Sequence, residues 1–204
     1  MFRVAQRIVG ASGPGQDRAV VLAIDGGLVL AVADGAGNSG RGAHAAEAAL
    51  RLLTERVAAG ERDAAALLRV CDRALADEGS GGETTMVVVI VEDQGVTGAS
   101  AGDSEAWLIE ATGHHVLTQD QNRKPLLGSG RAEPVAFAAG PLTATLLLGS
   151  DGFFKYTDGS LARQLAIHED LDAIPDRMID SVRLRSGTLQ DDTTVLVCRR
   201  SIRK

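Results

Sequence analysis

Along the chain, short β-branched apolar runs alternate with longer stretches rich in alanine and leucine. Two apolar runs, RAVVLAI at 18–24 and GLVLAVAD at 27–34, are joined by an Asp-Gly-Gly turn, which predicts a β-hairpin. A segment rich in Ala, Leu, Glu and Arg at 42–59 is followed by one at 62–77, in which leucines recur at helical spacing. These two segments predict a helical hairpin.

The rest of the pattern predicts a sheet protein. Further apolar runs predict strands at 84–92, 94–103, 105–113, 144–152 and 191–200. The polar region 118–142 has little periodicity and predicts surface loops, whereas residues 159–185 predict a helix. Because strands follow one another directly instead of alternating with helices, the order favours a mainly antiparallel α+β layering over a doubly wound parallel sheet.

Length and composition predict one globular domain. The chain has 204 residues, of which 45% are hydrophobic and 24% charged. No repeat or linker divides it, so the domain is expected to span residues 1–204. The formal net charge is −6 and aromatic residues make up only 3%. A nucleic-acid partner is not expected, since phosphate binding needs clustered cations and base stacking needs aromatic faces.

The sequence has no feature typical of secretion or of membrane insertion. Its first residues, MFRVAQRIVGASG, lack the long apolar segment of a signal peptide, and no apolar run approaches the length that spans a bilayer. Cys71 and Cys198 lie far apart in apolar contexts, which predicts buried free thiols and a reducing compartment. We therefore expect a cytoplasmic protein with no membrane partner.

The stretch VADGAGNSG at 32–40 has two interpretations. Its GxGxxG pattern at 35–40 is that of a dinucleotide-binding oxidoreductase, whereas Asp34 at the end of an apolar strand is suited to bind a metal. The dinucleotide fingerprint requires a second strand that ends in an acidic residue about 20 positions later. Glu61 lies at that distance but between two predicted helices, and the charge of Asp34 would oppose a pyrophosphate. The sequence therefore favours the metal-binding interpretation.

Acidic residues recur at the ends of predicted strands or in the turns between them, at Asp34, Asp103, Asp151 and the pair Asp191–Asp192. One such residue is typical of a turn or a helix cap. Several at one edge of a small sheet protein would repel one another strongly, so a cluster of this kind favours bound divalent cations. Oxygen ligands without a set of His or Cys residues favour Mg²⁺ or Mn²⁺ over zinc.

Six short motifs carry a resemblance to a known family. In chain order they are LAVADGAGNSGRG, GGETTMVVVIV, ASAGDSEAWLI, LTQD, LLLGSDGFF and DDTTVLV. Over nearly the whole chain they resemble the metal-dependent type-2C protein Ser/Thr phosphatases, with Asp192 where that family usually has Asn. The resemblance implies an α+β fold, a four-layer α-β-β-α sandwich of two mainly antiparallel sheets flanked by helices.

The resemblance also implies a binuclear metal centre that holds two Mn²⁺ or Mg²⁺ ions. By position, Asp34 would bridge the two ions and Gly35 would offer its backbone carbonyl to one of them. Asp151 and Asp191 would bind the other ion, and Asp103 matches a residue associated with a third, weaker metal position. Asp34, Asp151 and Asp191 are therefore the expected catalytic residues.

The implied reaction is hydrolysis of phosphoserine or phosphothreonine monoesters by a water activated between the two cations. The expected partner is a phosphoprotein, the product of a Ser/Thr kinase. In the first motif of the family, an Arg binds phosphate and a Glu helps to hold a metal, whereas this chain has Ser12 and Gln16. The alternative prediction is a catalytically weak phosphatase-like module that binds a phosphoprotein or a regulatory partner.

Two places in the sequence offer cations to a substrate phosphate. Arg18 is a candidate substitute for the missing Arg, and an ordinary surface position is the competing interpretation. The segment QNRKPLLGSGR at 121–131 concentrates three basic residues in an otherwise acidic protein. It is either a solvated loop or a substrate-facing one, since binding residues often lie on loops.

Overall fold

A computed structural model describes residues 1–37, 40–79, 81–168 and 170–201. Asn38 and Ser39 of the glycine-rich stretch lie outside these residues. The strands, in chain order, are β1 (Phe2–Val9), β2 (Arg18–Ile24), β3 (Gly27–Ala33), β4 (Gly35–Ala36), β5 (Glu83–Thr84), β6 (Met86–Glu92), β7 (Val96–Ala101), β8 (Glu105–Ile109), β9 (His114–Val116), β10 (Val135–Ala139), β11 (Thr145–Gly149) and β12 (Thr193–Arg200). The helices are α1 (Arg41–Ala58), α2 (Ala64–Glu78), α3 (Asp151–Phe154), α4 (Gly159–Ala166) and α5 (Ile174–Ser181).

The described residues form two five-stranded antiparallel sheets. Sheet I has the order β1-β12-β11-β8-β9 and sheet II the order β10-β7-β6-β3-β2, while β4 and β5 pair separately. Alternate residues of the central strands point to opposite faces. In β3, for example, Leu30 packs into the core between the sheets and Val29 packs under the helices. Burial on both faces explains why this strand is apolar along its whole length.

Three apolar cores separate four layers of secondary structure. One core lies between α1 and α2 and the outer face of sheet II. The second lies between the two sheets, and the third lies between sheet I and α4 and α5. This arrangement confirms the predicted α-β-β-α sandwich of mainly antiparallel sheets.

The structure adds three edge strands that the sequence pattern did not predict, β1, β10 and the three-residue β9. β1 lies at one edge of sheet I and pairs with β12 over its whole length. β10 lies at the edge of sheet II, inside the region 118–142 that was predicted as loops. β1 and β10 expose many of their side chains. An edge strand buries only part of its surface, so its apolar signal is weak.

The predicted helix at 159–185 is wrong as a single element. The structure has two shorter helices, α4 and α5, separated by a turn that buries Leu171. Pro175 lies in the first turn of α5. Proline lacks the backbone N–H that a helix interior requires, so it begins a helix more readily than it continues one.

The two cysteines are buried free thiols, as the sequence predicted. Burial raises the pKa of each of them, Cys71 and Cys198, to about 12. Both thiols therefore stay protonated at neutral pH and act as small apolar core side chains. Among the described residues, no helix has the length and apolar character needed to cross a bilayer.

Candidate metal centre

Antiparallel pairing brings acidic residues of sheet II to one end of the sandwich. Arg18 at the start of β2 pairs with Ala33 at the end of β3. The residues next to this pair, Asp17 before β2 and Asp34 after β3, therefore lie side by side. The two carboxyl groups are close enough that the charge of Asp17 raises the pKa of Asp34.

Sheet I contributes its acidic residues at the same end. The last residue of β11 pairs with β12 near its start and with the first residue of β8, so Asp151 lies beside the start of β12, which Asp191 precedes. The turn that carries Asp103 connects sheet II to sheet I. The charges of Asp103 and Asp191 both raise the pKa of Asp151, and that of Asp191 raises the pKa of Asp34. The fold thus brings these four predicted residues to one end.

Backbone hydrogen bonds fix the position of Asp34. Its carbonyl oxygen accepts bonds from the Thr85 N–H and the Thr84 hydroxyl, both at 2.8 Å, and its N–H donates to the Thr85 hydroxyl at 3.3 Å. These bonds leave the carboxylate to face the other acidic residues. The next residue packs tightly on α1, because a Cβ on Gly35 would lie 2.3 Å from the carbonyl carbon of Gly42. Only glycine fits at this position.

Close packing also fixes Asp151, the first residue of α3. The preceding Ser150 accepts a hydrogen bond from the Thr194 N–H at 2.9 Å and donates its own N–H to the Thr194 carbonyl at 3.2 Å. A Cβ on Gly152 would lie 1.9 Å from the carbonyl oxygen of Asp192. The short helix therefore sits directly on the start of β12, and this contact sets the direction of its first carboxylate.

Burial and mutual repulsion raise the pKa values of the carboxyl groups gathered at this end. The pKa of Asp34 is raised to about 9, first by burial and then by the charges of Asp17 and Asp151. Burial also raises the pKa of Asp17 to about 6. The pKa of Asp151 is raised by burial and by the charges of Asp103 and Asp191. Carboxylates buried together in this way favour either protons or bound cations.

Two buried oxygens of the described residues at this end of the sandwich lack a hydrogen-bond partner. Among the described residues, Asp17 Oδ1 and Gln16 Oε1 are buried without a hydrogen-bond partner, a condition that costs stability unless a ligand binds them. Within the described ranges, no three acidic, His or Cys side chains lie in an arrangement that could hold a metal ion. The hard oxygen donors are those that Mg²⁺ and Mn²⁺ prefer.

The structure explains the Asp at position 192, where the resembled family usually has Asn. Its Oδ1 accepts the Ala11 N–H at 2.8 Å and its Oδ2 accepts the Gln16 N–H at 2.6 Å. Two carboxylate oxygens can accept both bonds, whereas an amide has only one acceptor oxygen. Asp192 therefore holds the loop between β1 and β2, which carries Gln16 into the site.

The structure also describes Arg18, the first residue of β2, and Ser12 in the loop before it. Arg18 directs its Nη1 atom at the carbonyl oxygens of Gly15 and Asp17, at 3.2 and 2.8 Å, so a phosphate-binding role for Arg18 stays a prediction. Ser12 is exposed. Asp17 was not among the predicted ligands, although the hairpin register alone places it beside Asp34.

A family model for stage II sporulation protein E (SpoIIE) matches residues 24–201. The chain belongs to the SpoIIE family. This family comprises metal-dependent Ser/Thr phosphatases of the PPM type, so the predicted relationship to such phosphatases is confirmed. No curated protein shows significant sequence similarity to the chain.

Several solved structures of other proteins have the same fold as this SpoIIE-family chain. Stp1, a Ser/Thr phosphatase from Staphylococcus aureus, has a TM-score of 0.86 at 18% identity, over 99% of this chain and 96% of that one. PstP/Ppp from Mycobacterium tuberculosis has a TM-score of 0.83 at 19% identity, over 98% and 99% of the two chains. A catalytic domain of PstP in complex with two manganese ions has a TM-score of 0.82 at 20% identity, covering 97% of both chains. These similarities confirm the fold.

Proposed function

We propose that this SpoIIE-family member is a metal-dependent phosphatase that hydrolyses phosphoserine and phosphothreonine in proteins, with residues 1–204 acting as one catalytic domain. The observation that carries the proposal is the set of carboxylates around Asp34, whose burial and mutual repulsion raise its pKa to about 9. A structural role alone does not account for like charges gathered at this cost. Membership of a phosphatase family supports the same conclusion.

The residues proposed to hold two Mn²⁺ or Mg²⁺ ions are those at the strand ends. Asp34 and the Gly35 carbonyl would hold one ion, Asp34, Asp151 and Asp191 would hold the other, and Asp103 would contribute to a third, weaker position. Bound divalent cations would supply activation of water and neutralisation of charge on the transferring phosphoryl group. No covalent phosphoenzyme is required, so the chain needs no nucleophilic side chain.

The part played by the chain itself is to hold these oxygen donors in place. The carbonyl of Asp34 is fixed by Thr84 and Thr85, and Asp151 is fixed by the contact between Gly152 and Asp192. Donors fixed by packing and hydrogen bonds do not need to reorganise during the reaction, which is the main advantage of a preorganised site. The substrate would be a phosphoprotein produced by a Ser/Thr kinase.

Metal-dependent turnover tests the proposal directly. We would measure hydrolysis of p-nitrophenyl phosphate and of a phosphothreonine peptide while titrating Mn²⁺ and Mg²⁺, with chelator as the blank. Turnover that rises with metal and disappears with chelator is the expected result. Folded protein that gives no turnover at saturating metal but binds the phosphopeptide would instead support the phosphatase-like binding module.

Gln16→Glu is expected to increase Mn²⁺ affinity by about tenfold, the lower end of the range for residues around a metal site. The Gln16 side-chain oxygen is buried without a hydrogen-bond partner, and a carboxylate there would add the negative charge that Gln lacks. Calorimetric titration of Mn²⁺ would measure the change, and activity at limiting Mn²⁺ should rise with it. Gln164→Glu adds the same charge on an exposed position of α4 and should change neither value. Equal effects of the two variants would show that Gln16 does not face the metal site.

A further inference from the structure

A small cavity adjoins the carboxylates of the proposed metal centre. Its volume is about 210 Å³, and it is lined by Asp103, Glu105, Arg123, Asp151, Phe154 and Lys155. Two of these residues are proposed metal ligands, and two others are cations. A cavity where basic side chains meet a metal centre is suited to bind an anion that reacts there.

Within the described residues, Lys155 Nζ lies 5.5 Å from the centroid of the neighbouring Tyr156 ring, a cation–π contact. Neither Arg123 nor Lys155 forms a salt bridge or a side-chain hydrogen bond among these residues, and both are exposed. They nevertheless lie close to the carboxylates, since the charge of Lys155 lowers the pKa of Asp151 and that of Arg123 lowers the pKa of Glu105, against the larger effect of burial. Their donors therefore remain available to a ligand in the cavity.

Hydrogen bonds hold the segment around Arg123 against the metal centre. The Gly102 N–H donates to the Asn122 carbonyl at 2.9 Å, which joins the segment to the turn that carries Asp103. The Asn122 side-chain amide donates to the Glu133 carbonyl at 3.2 Å. Arg123 is thus carried by an ordered segment rather than by a freely solvated loop.

A buried carboxylate on α2 anchors the following part of the same segment. Asp72 is 3% exposed. Its Oδ1 accepts the N–H groups of Gly128 and Gly130, both at 2.9 Å, and its Oδ2 accepts that of Ala132 at 3.0 Å. Hydrogen bonds to a charged acceptor are stronger than neutral ones. These bonds fix the path of the chain after Arg123, and the bonds of Asn122 fix it just before Arg123.

The backbone of Lys155 is held in place at the end of α3. Its N–H donates to the Asp151 carbonyl at 2.9 Å, so it lies one helical turn from a proposed metal ligand. The adjacent Phe154 packs on Trp107 with ring centroids 4.7 Å apart, and the Trp107 Nε1 donates to Glu105 at 2.6 Å. Ring packing and this hydrogen bond order the wall beside which Lys155 lines the cavity.

We propose that Arg123 and Lys155 bind the phosphate group of the phosphoprotein substrate and so replace the Arg that is absent at Ser12. The inference rests on the proposed function, because it assigns the substrate anion of the same site. The planar guanidinium of Arg123 matches two oxygens of a phosphate, whereas Lys155 acts as a point charge. The chain lacks the Arg of the family's first motif. Arg123 and Lys155 bind the substrate phosphate in its place.

The test compares matched variants by binding and by kinetics. Inorganic phosphate, the reaction product, would be titrated calorimetrically into Mn²⁺-loaded protein, and KM would be measured for a phosphothreonine peptide. Arg123→Ala should weaken phosphate binding and raise KM by about tenfold or more, the effect of losing a charge-assisted hydrogen bond. Lys155→Ala should act in the same direction, and Arg123→Lys should recover part of the loss. Mn²⁺ affinity should not fall in any of them.

Lys124→Ala provides the matched control, because Lys124 is an exposed neighbouring cation that does not line the cavity. It should leave phosphate affinity and KM unchanged. Normal phosphate affinity and KM in Arg123→Ala would overturn the inference, as would an equal loss in Lys124→Ala. If the wild type binds phosphate through Arg123 but shows no metal-dependent turnover, the proposed function fails and the assignment of the bound anion to a substrate fails with it, while phosphate binding by Arg123 stands. If the wild type turns over and neither Arg123 nor Lys155 affects KM, the inference alone fails.

Discussion

Asp34→Asn is expected to lower metal-dependent turnover by more than about 100-fold, because outer residues around a metal site already account for about 10–100-fold. The variant keeps the shape of the side chain and removes the charge that would bridge two cations. Mn²⁺ affinity should fall as well. The metal-free variant should be more stable than the metal-free wild type at pH 8, because Asn needs no proton to remain neutral among Asp17 and Asp151.

A variant with a damaged fold would lose both activity and stability, whereas Asp34→Asn should lose activity and gain stability in the metal-free protein. A gain of about 1 kcal/mol would raise Tm by about 2–4 °C in a protein of this size, which differential scanning calorimetry in chelator would detect. Asp25→Asn is the control, since Asp25 is exposed at the opposite end of the same hairpin and should change neither property. Normal turnover in Asp34→Asn would show that the site is wrongly assigned.

The stability of the metal-free protein is expected to fall as pH rises from about 4 to about 9. Burial raises the pKa of Asp17 to about 6 and that of Asp34 to about 9, whereas an unfolded chain has Asp pKa values near 3.9. Below that pH, both carboxyl groups are protonated in the folded and in the unfolded state, so their contribution to the stability of the fold is fully present. Above it the unfolded state releases protons that the folded state retains, so stability is lost up to the folded pKa. The loss is about 1.4 kcal/mol per pH unit for each retained proton.

Mn²⁺ should reverse this dependence, because it binds the deprotonated carboxylates. Urea unfolding at pH 5, 6.5 and 8, in chelator and in saturating Mn²⁺, would measure both effects, and the stabilisation by Mn²⁺ should be largest at pH 8. Asp34→Asn isolates the contribution of one residue, since it should remove much of the pH slope seen in chelator. Wild-type stability that is flat or rises over this range in chelator would contradict the raised pKa values.

The candidate site was partly predictable because its carboxylates follow or precede recognisable strands. Asp34, Asp103, Asp151 and Asp191 each lie where an apolar run ends, begins or turns. The structure brings these residues together, and their roles as ligands remain predictions. Asp17 was also within reach of the sequence, because the register of a short hairpin fixes which residues flank it.

By itself, the sequence pattern determined the mainly antiparallel α+β layering, the central strands and the acidic strand ends, since strands buried on both faces carry an unmistakable apolar run. The sandwich of two sheets was implied by the family resemblance. The edge strands β1 and β10 became visible only in the structure, because their half-exposed residues carry a weak pattern. Tertiary structure alone placed Arg123 and Lys155 in one cavity and gave the Asp192 and Asp72 side chains their backbone partners. Such contacts join residues far apart in the chain, and no local periodicity or propensity encodes them.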